Sequence, residues 1–326
     1  MAKEIVTTER YFGLHPSARL HYLANIYTPF THPAIAEHMG EVTANLGLEF
    51  SPSELIIISA LDHPHKVQTF LDTFIYYNYD HPVPGHKSSD VETALPPRQV
   101  LAQGKAHCFE GALFAYMVNY LHGYDPRLVL LESMLLDSDH NLTVWQNKIT
   151  GLWGANGHSG YEGLGGRPAQ YKTIQELAIS YDRYYYHPVT DDPDDRTLVA
   201  YSHPFDLATF GTEWMDTQEP LWHIFENYVN ETIAFSYLHG DPLETHMYPS
   251  FRALNNHWIR IGAASGIGYV SVEDLPQDAQ ELWKRFWEIY KNEPYPQGTA
   301  REIQDQFFAI TGITPLDLMS MAAETT

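Results

Sequence analysis

The periodicity of this chain switches from helical to extended between residues 108 and 146, and that switch limits what it folds into. From Cys108 to Leu121, apolar residues recur at helical spacing without a break. Arg127–Leu136 and His140–Gln146 are short, rich in Val, Leu and Thr, and separated by Asp137-Ser138-Asp139, which is a strand–turn–strand pattern. An apolar helix followed directly by two strands that pair implies a helix packed on an antiparallel sheet. The expected class is therefore α+β.

Elsewhere the pattern is mainly helical. Ser17–Tyr27, Pro33–Leu46, Pro52–Leu61 and His65–Tyr77 have helical spacing, punctuated by His-Pro and Ser-Pro pairs. In Ser51-Pro52-Ser53-Glu54, Ser51 is placed to cap, Pro52 fits the first helical position, and Glu54 sits where a capping box needs it. Asp80–Asp90 reads as a loop, and helical signals resume near Pro97. Beyond Gln146, Thr150–Trp153 reads as a strand, Gly154–Gly166 as a glycine-rich loop and Thr173–Tyr186 as a helix.

The acidic, proline-containing Asp191–Asp195 segment is the best boundary. Residues 1–190 then hold a helical N-terminal region and a core at about 96–190. Residues 191–326 form a mostly helical extension able to pack on the same domain. Within it, Leu221–Val229, Leu275–Lys291, Thr299–Ile310 and Pro315–Met321 read as helices, and Thr232–Tyr237 and Trp258–Ile261 as strands.

A formal net charge of −22 leaves no basic stripe to neutralise phosphates, so nucleic acid is not an expected partner. No uncharged apolar run reaches the roughly 18 residues of a membrane helix. The first ten residues lack an apolar signal core, so the expected location is cytoplasmic. The single cysteine rules out an internal disulfide.

That cysteine carries the chemistry. Cys108 stands where a helix begins, with Gly104 loosening the turn before it. A helix N-terminus presents unpaired N–H groups and partial positive charge, which lower a thiol pKa and favour the thiolate. His140 opens a later strand, where an imidazole can take the thiol proton and return it to a leaving amine. A third group must hold the ring. Asn156, just past Trp153, is the candidate, ahead of Asp137 and Asp139 in the turn before His140. Gln103 is the candidate oxyanion-hole donor beside the Cys108 N–H. The plain alternative is a buried cysteine acting as a small hydrophobe.

Eighteen histidines invite a metal, but no zinc-type spacing is present. Pro64 keeps His63 and His65 off one helical face. Gly163-Leu164-Gly165-Gly166 lacks the Lys-Ser/Thr of a phosphate loop. Neither metal nor cofactor is expected.

Gly104–Cys108, the helix after it, Arg127–Leu136, Asp139-His140 and Gly151-Leu152-Trp153 together resemble the core of the transglutaminase-like cysteine-enzyme superfamily. The resemblance covers Pro96–Asn156. It implies a transglutaminase-like or papain-like core, in which a nucleophile helix packs on an antiparallel sheet. Here that core is flanked by extra helices at both ends. Cys, His and an acid follow in that order. Ala106 departs from the glycine common two residues before the cysteine, Asn141 and Leu142 from the usual residues after the histidine, and Asn156 from the usual Asp. The implied activity is acyl transfer, or amide or peptide hydrolysis, through an acyl-enzyme on Cys108. The implied substrate is a peptide or small amide. The competing expectation is an inactive member that keeps the fold as a binding or scaffold module.

Overall fold

The computed structural model describes residues 8–79, 93–133, 138–186, 196–225, 227–228, 232–238, 246–249, 258–263, 266–290 and scattered positions from 303 to 312. Helices α1 (Thr8–Phe12), α2 (Pro16–Tyr27), α3 (Pro33–Asn45), α4 (Pro52–Ala60) and α5 (Pro64–Phe74) open it. Four of them start on a proline, whose fixed φ suits the first turn and whose missing N–H would have no partner there. The capping box on α4 forms: Ser51 Oγ accepts from the Glu54 N–H at 3.4 Å, and Glu54 Oε2 accepts from the Ser51 N–H at 2.6 Å. The same carboxylate takes two hydrogen bonds from Arg98, at 2.8 and 3.1 Å, which ties α4 to α6 (Pro97–Gln103).

The helix expected over His65–Tyr77 stops at Phe74. Ile75 is extended, and Tyr76–Tyr77 leave as β1 to pair in parallel with β2 (Lys105–Ala106). Gly104 ends α6 in the left-handed region, at φ +63°, a conformation that only glycine adopts cheaply. A side chain at that position would also press on Arg19, whose guanidinium is bound to the Ala102 carbonyl at 2.7 Å. The segment entering α7 (Cys108–Leu121) is therefore fixed from both sides.

Every residue of α7 from Phe109 to Asn119 is buried, as expected of a helix apolar on nearly every side, Glu110 and Asn119 being its buried polar residues. It packs on a seven-stranded sheet in which each pair of neighbours is antiparallel, in the order β6-β5-β4-β3-β7-β8-β9. The strands are β3 (Arg127–Ser133), β4 (His140–Gln146), β5 (Trp153–Gly157), β6 (Arg167–Tyr171), β7 (Leu198–Ser202), β8 (Thr232–Tyr237) and β9 (His246–Pro249). Strand alternation divides the core between two faces. Leu128 and Leu130 join the α7 side, whereas Val129, Leu131, Leu142 and Val144 pack with Leu177, Ala178 and Tyr181 of α8 (Ile174–Asp182).

The molecule is thus α+β, and two expectations change. The strand expected over Thr150–Trp153 only begins at Trp153, as β5, and runs into the stretch read as a loop; β6 follows that stretch, where no strand was expected. The glycines of Trp153–Gly157 hid β5. The part after Asp195 is not mostly helical among the described residues. Three of its strands extend the sheet from β3, and β10 (Trp258–Ala263) and β11 (Gly266–Ser271) form a hairpin. Its described helices are α9 (Trp222–Phe225), α10 (Gln277–Tyr290) and short single turns, and the positions described between Ile303 and Ile310, inside the helix expected over Thr299–Ile310, are helical. Pro315–Met321 lies outside the described residues. Among the described residues, no helix is long and apolar enough to cross a membrane.

The start of α7 rests on Glu110, which is fully buried. Its Oε1 accepts from Thr93 Oγ1 at 2.7 Å and from the Leu95 N–H at 2.6 Å, and its Oε2 accepts from the His107 N–H at 2.9 Å. Glu110→Ala leaves two backbone donors unpaired. Urea denaturation should show a loss of about 2–4 kcal/mol, with a smaller loss for Glu110→Gln.

Candidate functional site

Cys108 is the first residue of α7 and is partly buried. His107 caps the helix. Its Nδ1 accepts from the Phe109 N–H at 3.3 Å, so its Nε2 carries the proton and donates to the Thr93 carbonyl at 2.8 Å. Both nitrogens of His107 are therefore occupied in shaping the turn.

The sulfur lies 4.0 Å from the Asp139 carbonyl oxygen and 3.5 Å from Asn141 Nδ2, at the very start of β4. At a strand end, a side chain rooted on either face reaches the same point. His140 is buried, and its Nε2 donates to the Leu164 carbonyl at 2.7 Å. That bond fixes the tautomer and leaves Nδ1 as the basic nitrogen. Burial alone pushes the Cys108 thiol up. The neighbouring His107 and His140 imidazoles overcome this and hold the thiol well below its ordinary value. Since His107 is engaged as a cap, His140 is the imidazole available to take the proton.

Leu164 sits in a loop that the sequence presented only as glycine-rich. Arg167 clasps that loop by donating to the carbonyls of Gly163, Gly165 and Gly166 at 2.6, 3.1 and 3.2 Å. Its guanidinium also stacks on Tyr181 at 3.8 Å. Of the four consecutive carbonyls, three hold Arg167 and the fourth holds His140.

Asn156 does not orient His140. It pairs with Thr143 across β4 and β5, and Thr143 bonds to the Ala112 carbonyl of α7, so Asn156 faces α5 and α7. There Oδ1 accepts from Asn119 at 2.9 Å, and Nδ2 donates to the Pro64 carbonyl at 2.8 Å and to Gln68 at 3.3 Å. His140, three positions from Thr143, projects from the opposite face. Gln103 is likewise elsewhere engaged, donating to Gln99 at 2.9 Å along α6. The Asp139 carboxylate accepts from the Ser133 N–H and hydroxyl, closing the turn between β3 and β4, and Asp137 lies outside the described residues.

The structure thus brings Cys108 and His140 together and adds three contributors: Asn141, the Leu164 carbonyl and His158. His158 is buried and packs over Gly111, where an added Cβ would come within 2.5 Å of the His158 Cβ. It lies just past the end of β5 at Gly157, inside a stretch that reads as a glycine-rich loop, so no sequence pattern marked it. No protein-family model matches the chain, and no curated protein is detectably similar to it.

Two substitutions separate these roles. Asn156→Ala should cost about 1–3 kcal/mol of stability, by leaving its buried partners unpaired, yet leave the rate of Cys108 alkylation by iodoacetamide unchanged. Arg167→Ala should slow that alkylation at about pH 6, because the loop carrying the Leu164 carbonyl loosens. Equal rates for all three proteins would contradict the assigned role of the loop.

Proposed function

We propose that the chain is a cysteine-dependent acyl-transfer enzyme acting on a peptide or small amide, with Cys108 as nucleophile and His140 as base. The carrying observation is a partly buried cysteine at a helix N-terminus beside His140, its thiol held below its ordinary pKa although burial opposes it. A cysteine kept only for packing has its pKa raised by its surroundings.

In the proposed cycle His140 Nδ1 takes the Cys108 proton and the sulfur attacks the acyl carbon, whose carbonyl electron pair moves onto oxygen. The Cys108 N–H, among the first-turn donors with no intrahelical partner, and Asn141 Nδ2 meet that oxyanion. Collapse breaks the C–N bond, and the amine leaves with the proton held by His140. Water then gives a proton to His140 as it attacks the thioester, releasing the acid, and the proton returns to sulfur. An amine in place of water gives transfer instead of hydrolysis.

The transglutaminase-like reading of Pro96–Asn156 is supported by the cysteine helix lying on an antiparallel sheet with the histidine on the adjoining strand. In this reading the Leu164 carbonyl takes the part of the acid that the superfamily commonly uses to orient its histidine. A lone thiol that must stay reduced to act fits the cytoplasm.

p-Nitrophenyl acetate tests the proposal. The wild type should release nitrophenolate in a burst and carry one acetyl group on Cys108, found by mass spectrometry of the peptides. Cys108→Ala should carry none, and His140→Ala should acylate about 10²-fold more slowly. Acylation no faster than that of free cysteine would overturn the proposal and favour a binding or scaffold role.

A further inference from the structure

His158 holds an unmet hydrogen-bonding group beside the thiol. It is 5% exposed, and no described group lies within hydrogen-bond reach of its Nε2. The ring's other nitrogen donates to the Tyr76 carbonyl of β1. With that proton committed, Nε2 has only a lone pair to offer. It accepts, and it does not donate. Burial drives the imidazole pKa down to about 4, so this holds throughout the neutral range. A buried acceptor left without a donor is costly, which makes it a position shaped for something that arrives.

Its location says what arrives. Gly111 lies one turn beyond Cys108 on the same helical face, and the His158 Cβ sits directly over it. His158 directly follows Gly157, the last residue of β5, which pairs with Leu142; next to Leu142 is Asn141, whose Nδ2 reaches the sulfur and whose Oδ1 is also buried without a partner. His158 is near enough to Cys108, His140 and His107 to feel the charge of each. On its outer side the Tyr77 ring stands 5.7 Å from the imidazole, and Tyr77 in turn meets Tyr161, which is 42% exposed. Two aromatic rings thus stand between the surface and the His158 imidazole.

We infer that His158 Nε2 accepts a hydrogen bond from the N–H of an amide substrate bound against Cys108, making it a specificity-determining residue that selects primary and secondary amides over substrates without an N–H. The inference rests on the acyl-transfer reading of Cys108 and His140. It adds no proton transfer: His158 stays neutral, and the leaving amine takes its proton from His140.

Two alkylating probes of the thiol, iodoacetamide and N,N-dimethyl-2-iodoacetamide, differ in the N–H groups that His158 would bind. The ratio of their rate constants for Cys108 at about pH 7, divided by the same ratio for glutathione, should be roughly tenfold in the wild-type chain. It should fall to about one in His158→Phe and recover in part in His158→Gln, whose side chain also offers an acceptor. The wild-type chain supplies a second readout that needs no variant to fold. The ¹⁵N resonance of His158 Nε2 should move upfield on adding acetamide and stay in place with N,N-dimethylacetamide. A fast thiol whose wild-type ratio matches glutathione, with a stationary resonance, would overturn the role of His158 and leave the acyl-transfer reading standing. A thiol no faster than glutathione with either probe would overturn both.

Discussion

The carboxylate of Glu110 is the constraint on which the site depends. It is fully buried in the first turn of α7 and is surrounded by donors from Thr93, Leu95 and His107. A buried charge is tolerable only when hydrogen-bonded in this way. Its place near a helix N-terminus is also where negative charge is favoured. By holding the His107 N–H, Glu110 fixes where the helix starts. The residue at that start is the cysteine.

From that point the geometry propagates outward. The parallel pairing of β1 with β2 and the left-handed turn at Gly104 bring the chain into α7 along one path. The sheet then presents the start of β4 to the helix tip. His140 reaches the sulfur from one face of the strand, and Asn141 and His158 approach on the other. The two imidazoles are oriented by backbone carbonyls, of Leu164 and of Tyr76. Those carbonyls are held in turn by the Arg167 clasp and by the short pairing of Tyr76–Tyr77 with Lys105–Ala106. A ring held at one nitrogen presents the other in a defined direction, which is what a base and an acceptor each require.

Much of this was legible in the sequence. The box at Ser51 and Glu54, the prolines that open helices, the largely apolar α7 and the strand that His140 opens all follow from local rules. The third position did not. Asn156 lies on the neighbouring strand as its spacing suggested, but the register opposite Thr143 turns its side chain to the other face. A one-residue difference in the turn between β4 and β5 decides that, and the glycines of Trp153–Gly157 hide the strand that sets it. The carbonyl that replaces it belongs to a leucine. Every residue has a carbonyl, so no sequence pattern marks the one that orients a histidine. Gln103 fails for a related reason: it is only five residues before the cysteine along the chain, yet α6 ends between them and the glutamine bonds along its own helix.

The central claim is that the surroundings of Cys108 favour its thiolate over its thiol. Ultraviolet absorbance of the thiolate, followed against pH as the difference between the wild-type chain and Cys108→Ala, measures this directly. The account predicts a single titration whose midpoint lies well below about 8.5, moving upward in His140→Ala. A midpoint at or above about 8.5, unmoved by His140→Ala, would contradict it and mark Cys108 as a packing residue.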